Sequence, residues 1–261
     1  MMHSMKNRVA IITGASSGIG RATALAFAKA GVKVGLIDIK EEKAKAVKEE
    51  IESVDGESFI AEADLTDDKR MKTAIDSIAN KFGRLDIVFA NAGINGKVAP
   101  IEDITPDEWD QTLETNLKGT FLTTKYSIPY MKENGGSIII TSSINGNRSF
   151  SSFGMSAYSS SKAGQVAFGK MAALELSNYK IRVNIICPGA IETNIGENTF
   201  PEEDNLEKIK IPIEYPEGSQ PLTGKPGTPE QVADLVCFLG SDASSHISGT
   251  EVYIDGAQTL L

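Results

Sequence analysis

The chain alternates short apolar runs with helical patterns over most of its length, and this alternation limits its fold more than any other feature. Seven runs have the length and composition of strands: RVAIIT, KVGLID, ESFIAEA, LDIVFA, GSIIITS, IRVNIIC and GTEVYID. Most are apolar at successive positions, which is typical of strands buried on both faces. Strands that alternate with helices form parallel sheets covered on both sides. The sequence therefore predicts an α/β fold, a doubly wound parallel sheet of seven strands with helices on both faces.

Helical patterns separate the strands, and nothing in the sequence marks a domain boundary. The predicted helices are GRATALAFAKAG, EEKAKAVKEEIES, DDKRMKTAIDSIANKF, a segment from about Pro106 to Met131, one from about Ala157 to Asn178, and PEQVADLVCFLGS. We expect one domain over residues 8–261, after a disordered extension at residues 1–7. Residues 190–225 lack periodicity and hold eight acidic residues against three lysines. A connection of this length is typical of a lid or substrate-binding loop.

Composition and charge exclude several classes of function. The net charge of −9 disfavours nucleic-acid and anionic membrane surfaces. No apolar run reaches the roughly 18 residues that span a bilayer, and the N-terminus lacks a signal peptide's apolar stretch, so we expect a cytoplasmic protein. Cys187 and Cys237 are predicted as core residues. His3 and His246 fall in the extension and in a loop, so we expect neither a metal site nor a histidine-based triad.

A glycine-rich turn, TGASSGIG at residues 13–20, follows the first strand and opens a helix. Gly14, Gly18 and Gly20 permit a tight turn, and the helix N-terminus then directs N–H groups at a pyrophosphate. Such turns are common at strand–helix junctions and are weak evidence alone. Asp38, however, ends the second strand 18 residues past Gly20, where a carboxylate can accept both ribose hydroxyls of an adenosine. Together the two features predict a dinucleotide site.

Asp38 also bears on which dinucleotide binds. A 2′-phosphate roughly 4 Å from this carboxylate meets about 4 kcal/mol of repulsion at an effective dielectric near 20. No arginine follows to offset it, since the next residues are Ile39 and Lys40, and Ser17 occupies a turn position where a basic residue would help. The pattern predicts NAD(H) rather than NADP(H). Lys40 is the residue that weakens this prediction.

Further short motifs occur in order along the chain: ADL (63–65), NAG (91–93), NLKG (116–119), SS (142–143), YSSSK (158–162) and PG (188–189). With TGASSGIG, they resemble the short-chain dehydrogenase/reductase family from Arg8 to Leu261. The resemblance implies a Rossmann-type sheet and a nicotinamide cofactor. It implies that Asp64 holds the adenine amino group, that NAG stabilises the sheet beside the cofactor, and that the segment 188–193 lines the nicotinamide. The residues predicted to bind the cofactor are Gly14, Ser17, Gly18, Ile19, Gly20, Asp38, Ile39, Asp64, Leu65, Asn91, Ala92, Gly93, Tyr158, Lys162, Pro188, Gly189, Ile191 and Thr193.

Tyr158 and Lys162 are four residues apart on a predicted helix and therefore share one face. For a bare pair of this kind, an amphipathic helix edge is the simpler interpretation. An ammonium about 6 Å from the phenol, at an effective dielectric near 20, stabilises the phenolate by roughly 3 kcal/mol, or about two pKa units. The resemblance puts the pair at the cofactor, where the oxidised ring adds positive charge and Lys162 also binds the nicotinamide ribose. Tyr158 is therefore predicted to be the general acid–base group.

Two further residues complete the predicted catalytic set. Related enzymes orient the carbonyl with a serine followed by two residues and a glycine, and SING at 143–146 favours Ser143 over Ser142. Ser143 precedes Tyr158 by 15 residues, about two more than is usual in the family, so the loop between them should bulge, with Arg148 or Phe150 as candidate substrate contacts. Asn116 resembles the family asparagine that distorts its helix and holds a water leading from Lys162 to solvent.

These features predict an NAD-dependent enzyme that oxidises a secondary alcohol to a ketone reversibly, with Asn116, Ser143, Tyr158 and Lys162 as catalytic residues. Two alternatives stay open. One is a reductase of carrier-bound 3-oxoacyl chains, against which the acidic lid and Tyr179, where such enzymes tend to be basic, count mildly. The other is a non-catalytic dinucleotide-binding scaffold or redox sensor, which has no need of the tyrosine–lysine pair. Sugars, polyols, steroids and small hydroxy acids all fit as substrates.

The resemblance also implies a homotetramer that pairs the long helices carrying Asn116 and Tyr158. Small residues on the second helix would allow close approach of a partner helix: Ala163, Gly164, Ala167 and Gly169. Packing of the same helix on its own sheet explains these residues equally well.

Overall fold

A computed structural model describes residues 5–212 and 220–261. Its strands in these residues are β1 Val9–Thr13, β2 Lys33–Asp38, β3 Ser58–Glu62, β4 Ile87–Ala90, β5 Gly96–Val98, β6 Gly136–Thr141, β7 Ile181–Pro188, β8 Thr199–Pro201 and β9 Glu251–Ile254. Seven of them form one parallel sheet in the order β3-β2-β1-β4-β6-β7-β9. The predicted seven-stranded parallel sheet is confirmed. The strand order reverses between β1 and β4, and open α/β sheets bind ligands at the carboxyl ends of the strands beside such a reversal.

Helices cover both faces of the sheet. Their bounds are α1 Gly18–Lys29, α2 Glu41–Glu52, α3 Asp68–Phe82, α4 Pro106–Leu113, α5 Gly119–Met131, α6 Ser156–Glu175, α7 Glu203–Leu206 and α8 Pro229–Gly240. The predicted helix over 106–131 is interrupted by a π-helical turn at Glu114–Lys118. No helix within residues 5–212 or 220–261 is long and apolar enough to cross a membrane.

Helix ends follow from local capping chemistry. Asp67 precedes α3, and its carboxylate accepts from the backbone N–H groups of Lys69 and Arg70. Gly83 ends the same helix with φ 75°, in the left-handed region that favours glycine. Thr228 and Gln231 form a reciprocal capping box at the start of α8. These signals explain why the predicted boundaries agree with the structure to within a few residues.

The core lies in two layers, one on each side of the sheet. Val9 and Ile11 of β1 join a buried cluster with α3, α5 and α6. Ala10 and Ile12, which point to the opposite face, join a second cluster with α1, α2 and α8. Because successive strand residues alternate between faces, a strand buried on both sides is apolar at every position.

The N-terminal extension predicted at residues 1–7 is too long. Residues 1–4, with His3, lie outside the described residues. Met5 is buried, and the backbone N–H of Asn7 donates to the carbonyl oxygen of Gly31 at 2.9 Å. The last residues of the extension are therefore part of the domain. Cys187 on β7 and Cys237 on α8 are buried, as predicted.

The segment 190–225 is described except at 213–219, so its acidic residues Glu214 and Glu217 lie outside the described residues. Its strand β8 pairs in parallel with β5, and neither strand is predicted by the sequence. Lys97 on β5 forms an ion pair with Glu202 of the segment, and the side-chain amide of Asn95 donates to the Thr199 hydroxyl at 3.0 Å. The segment is thus held against the loop that follows β4.

Gly20 shows how closely α1 packs on the turn before it. A Cβ at this position would collide with the carbonyl group of Gly14. We expect Gly20→Ala to lower the free energy of unfolding by about 1–3 kcal/mol, because a backbone atom cannot move aside as a side chain can. Gly196→Ala is the matched control, since an added Cβ there meets no described atom within 4 Å. Urea unfolding measures both, and equal stability of the two variants would contradict the prediction.

Candidate active site

A cleft of about 990 Å³ opens at the carboxyl ends of the central strands. It brings together most of the residues predicted from the sequence. The predicted residues that line it are Gly14, Ser17, Gly18, Ile19, Asp38, Ile39, Asp64, Leu65, Asn91, Ala92, Gly93, Ser143, Tyr158, Lys162, Pro188, Gly189, Ile191 and Thr193. Gly20 and Asn116 are buried just behind the wall of the cleft.

The glycine turn presents the N-terminus of α1 to the cleft. Gly14 and Gly18 have φ values of 64° and 48°, which residues with a Cβ rarely adopt. Ser17 is the N-cap, and no side chain in the described parts of the chain caps this helix end. Its first N–H groups are therefore available to a ligand, and a helix N-terminus of this kind favours an anion such as a pyrophosphate.

Asp38 is nearly buried at the end of β2, and its orientation is fixed by the backbone. One carboxylate oxygen accepts from the N–H of Ser16 and the other from the N–H of Lys40, each at 3.0 Å. A carboxylate oxygen can accept more than one hydrogen bond. Asp38 can therefore still accept from a diol, and the chain fits the adenosine half of a nicotinamide dinucleotide.

Asn91 cross-links three strands beneath the cleft. Its side-chain amide donates to the carbonyl oxygen of Thr13 at 3.2 Å, and its amide oxygen accepts from the Thr141 hydroxyl at 3.2 Å. Its backbone N–H donates to the hydroxyl of Thr13 at 3.0 Å. The ends of β1, β4 and β6 are thereby held together. Two residues later, Gly93 leaves room for the side chain of Asn116, because a Cβ there would lie 2.9 Å from Oδ1 of Asn116.

Tyr158 and Lys162 lie side by side on α6, on the wall of the cleft. Nζ of Lys162 is 5.6 Å from the centroid of the Tyr158 ring and donates to the carbonyl oxygen of Thr141 at 2.9 Å. The Ser143 side chain also lines the cleft and acts to lower the pKa of the phenol. The geometry thus unites a phenol, an ammonium and a hydroxyl at one point of the cleft.

The pKa values of the pair differ from the prediction. Burial raises the pKa of the Tyr158 phenol above its ordinary value of 10.0, and the hydrogen bond with Ser143 opposes this rise only in part. Burial also lowers the pKa of Lys162 to about 8. The predicted lowering of the phenol pKa is therefore wrong for the chain alone. Both residues are at least 92% buried, and burial disfavours the charged form of each.

The two neighbouring serines both line the cleft but differ in their hydrogen bonds. Ser142 donates to the backbone carbonyl oxygen of Lys162 at 2.8 Å, whereas the Ser143 hydroxyl oxygen accepts from the backbone N–H of Asn145 at 3.2 Å. The choice of Ser143 over Ser142 as a catalytic residue stays a prediction.

The candidate substrate contacts in the loop after Ser143 do not line the cleft. Arg148 stacks on the ring of Tyr253 at 4.0 Å, and Phe150 is 69% exposed to solvent. The residues of this loop that line the cleft are Ile144, Asn145, Ser152 and Met155.

Asn116 lies in the π-helical turn, so the distortion implied by the resemblance is present. Its amide oxygen accepts from the N–H of Ile94 at 2.8 Å. Its amide nitrogen donates to the carbonyl oxygen of Ile94 and to the Ser161 hydroxyl, both at 2.9 Å. The side chain therefore fixes the loop after β4 to helix α6.

Gln165 is a buried residue that the sequence interpretation missed. Its amide nitrogen donates to the carbonyl oxygen of Asn116 at 3.0 Å and to the Thr120 hydroxyl at 2.6 Å. Thr120 donates to the same carbonyl oxygen at 2.8 Å, so both lone pairs of that oxygen are used within the chain. The sequence does contain a signal for this residue, because Gln165 is polar and lies three positions past Lys162 on a helix of mostly small residues.

Polar residues outside the predicted set also line the cleft. Among them are Asn95, Asn145, Asn198 and Gln258 from separate loops, and Asp107, Asp110 and Gln111 from α4. Gln258, near the C-terminus, accepts from the backbone N–H of Ala190 at 3.1 Å and from the side chain of Gln220 at 2.9 Å. Within the described residues, no group of three or more His, Cys, Asp or Glu side chains is arranged to hold a metal ion.

Comparisons with known proteins show which proteins the chain resembles. The model of the family described as enoyl-(acyl carrier protein) reductase matches residues 14–259. A cyclohexanol dehydrogenase from Acinetobacter sp. (strain SE19) is 35% identical over 99% of this chain and 98% of its own length.

Solved structures are similar over nearly the whole chain. A 3-ketoacyl-ACP reductase from Sinorhizobium meliloti 1021 is 49% identical, with a TM-score of 0.91 over 97% of this chain and 99% of that one. A short-chain dehydrogenase from Mycobacterium paratuberculosis bound to NAD is 29% identical, with a TM-score of 0.87 over 99% and 100% of the two chains.

The buried ammonium of Lys162 should destabilise the chain when no cofactor is bound. A pKa of about 8 instead of 10.5 corresponds to about 3 kcal/mol near neutral pH, against about 1 kcal/mol for the lost hydrogen bond to Thr141. We expect Lys162→Met to unfold with a free energy about 1–3 kcal/mol higher than the wild type at pH 7.

This difference should depend on pH. Between pH 8 and about 10.5 the unfolded wild type binds more protons than the folded one, so wild-type stability gains relative to the variant. Urea unfolding at pH 7 and pH 10 tests the prediction, with Lys48→Met, at a partly exposed lysine on α2, as control. A stability gap that is absent at pH 7, or that widens toward pH 10, would contradict it.

Proposed function

The chain belongs to the short-chain dehydrogenase/reductase family, and from that membership and the geometry of its cleft we propose an NAD-dependent dehydrogenase of secondary alcohols. It is an oxidoreductase that moves a hydride between a nicotinamide cofactor and an alcohol or ketone. The observation that supports the more specific proposal is the pairing of Tyr158 with Lys162 on the wall of the cleft that Ser143 also lines.

We propose that the chain holds the cofactor along the strand ends. Asp38 binds the adenosine ribose, the N-terminus of α1 binds the pyrophosphate, and Asp64 binds the adenine amino group. Lys162 binds the nicotinamide ribose. The predicted contacts in the segment 188–193, which are Pro188, Gly189, Ile191 and Thr193, line the nicotinamide. When bound, the oxidised cofactor supplies the hydride acceptor and a positive charge.

The protein's own part is acid–base chemistry and orientation. Ser143 donates a hydrogen bond that orients the substrate oxygen, and Tyr158 takes its proton in oxidation or returns one in reduction. Lys162, with a pKa of about 8, is mostly protonated at pH 7 and supplies the nearby cation. Because burial raises the phenol pKa in the chain alone, this step requires the charge distribution of the filled cleft.

Asn116 acts in this proposal as a positioning residue. It holds Ile94 at the floor of the cleft and contacts Ser161, which is next to Lys162 in sequence. The water that the resemblance implies at Asn116 stays a prediction. On its carbonyl oxygen, such a water would have to share with or replace the donors Gln165 and Thr120.

A reductase of carrier-bound 3-oxoacyl chains is the second candidate. The structure at 49% identity, named a 3-ketoacyl-ACP reductase, favours it. The acidic lid counts against a polyanionic carrier, whereas Lys132, whose ammonium lies 4.7 Å from the Tyr179 ring, weakens the objection based on Tyr179. Activity measured with acetoacetyl-CoA and a panel of secondary alcohols, each with both cofactors, separates the two. A preference for NADPH with the thioester would favour the second candidate.

We also propose the homotetramer implied by the family. Phe121 on α5 and Met171 and Leu174 on α6 are exposed apolar side chains on the helices expected to pair. Gly169 instead faces the sheet, because a Cβ there would approach Ile185 of β7 within 2.7 Å. Gel filtration with light scattering tests the assembly. The cytoplasmic location stays a prediction.

Removal of the Tyr158 hydroxyl should stop proton transfer without loss of cofactor binding. We expect Tyr158→Phe to lower kcat by about 10²-fold or more on any accepted alcohol, the range typical of general acid–base groups. NADH binding, followed by fluorescence titration, should change little. Tyr179→Phe, at a tyrosine outside the cleft, is the control and should keep its turnover. Unchanged turnover in Tyr158→Phe would remove the mechanism.

The charge of Asp38 should set the cofactor preference. We expect the wild type to have a higher kcat/KM with NAD than with NADP. In Asp38→Asn the ratio should move toward NADP by about tenfold or more, because at least ~1.4 kcal/mol of repulsion disappears. Asp234→Asn, on the exposed face of α8, serves as the control. A wild type that prefers NADP would overturn the assignment of the cofactor.

A further inference from the structure

The turn Asn194–Asn198 of the lid lies at the cleft and contacts the segment that follows β2. Glu197, in the short helical turn Asn194–Asn198, lies 3.2 Å from Nζ of Lys43 and 3.8 Å from Nζ of Lys40. Lys40 directly precedes α2, and Lys43 lies in its first turn. All three side chains line the cleft together with Asp38. An ion-pair cluster therefore joins the lid to the adenosine end of the cleft.

The two lysines oppose the cofactor preference that Asp38 sets. The backbone N–H of Lys40 donates to Asp38, so this lysine begins at the carboxylate proposed to bind the ribose. Lysine ammonium groups bind phosphates, and two of them beside a ribose would attract a 2′-phosphate. Asp38 alone therefore does not explain a strong preference for NAD over NADP.

Glu197 supplies the missing negative charge. The amide of Asn194 donates to one of its carboxylate oxygens at 3.1 Å, and the other oxygen is on the lysine side. These contacts, the hydrogen bond from Asn194 first and Lys43 next, lower the pKa of Glu197, so the carboxylate is ionised at neutral pH. At this end of the cleft, two carboxylates then balance two ammonium groups.

We propose that Glu197 is a second determinant of cofactor selectivity, which pairs with Lys40 and Lys43 and thereby withholds them from a 2′-phosphate. This inference rests on the proposed NAD-dependent function. Because Glu197 belongs to the lid, selectivity depends on a residue of the substrate-binding segment as well as on the strand end that carries Asp38.

The test is the ratio of kcat/KM with NADP to kcat/KM with NAD, measured at low ionic strength. We expect Glu197→Gln to raise this ratio about fivefold, the scale typical of half-exposed ion pairs. Glu207→Gln is the matched control. Glu207 lies in the same segment and pairs with Lys210 at 2.9 Å, but it is absent from the described lining of the cleft. The gain should shrink as salt is added, since exposed charges are screened.

A second variant identifies the lysines as the cause. Adding Lys43→Gln to Glu197→Gln should reverse most of the gain, and a gain that persists would overturn the inference. The inference is also overturned if the wild type prefers NAD but Glu197→Gln leaves the ratio unchanged. It is overturned as well if Glu197→Gln raises kcat/KM equally with both cofactors, as expected for lysines that act on the shared pyrophosphate. A wild type that prefers NADP would instead refute the proposed function.

Discussion

A buried ammonium is the feature around which the cleft is built. Lys162 is 3% exposed and hydrogen-bonds the carbonyl oxygen of Thr141 at the end of β6. Burial of a charge disfavours the charged form, and its lowered pKa is the sign of that cost. The Ser142 hydroxyl donates to the backbone carbonyl oxygen of Lys162 and so holds the same turn of α6. At this cost in stability, the fold keeps a cation beside Tyr158. A hydrocarbon side chain at the same position would make the protein more stable but would supply no charge.

The polar groups behind the cleft determine how firmly this pair is held. Asn91 joins three strand ends, and Asn116 joins the loop after β4 to α6. Gln165 satisfies the carbonyl oxygen of Asn116, while its own amide oxygen is buried without a partner among the described residues. Buried networks of this kind specify one arrangement because each alternative leaves further groups unpaired. Local backbone distortion at the π-turn is thus compensated by side chains.

The features that could be predicted from the sequence are those that depend on the local chemistry of short segments. Strand periodicity, the turn at Gly14 and Gly18, and the spacing of Tyr158 and Lys162 are each properties of short segments, and the structure has them where they were expected. Burial, in contrast, depends on packing from the whole chain, so the direction of the Tyr158 pKa shift was predicted wrongly. The pairing of β5 with β8 was also missed, because three-residue strands have too few positions for a period to be visible.

The two ends of the cleft are built differently. This difference explains why the residues of one end can be predicted from the sequence and those of the other cannot. The end proposed to bind the cofactor consists of strand ends and a helix N-terminus, whose backbone geometry is common to the fold. The end proposed to bind the substrate is lined by side chains from separate loops, among them Asn95, Asn145 and Gln258. Loop residues can change without movement of the strand ends or of α6. In the proposed function, substrate choice is therefore set by parts of the chain that can vary while Tyr158 and Lys162 keep their positions.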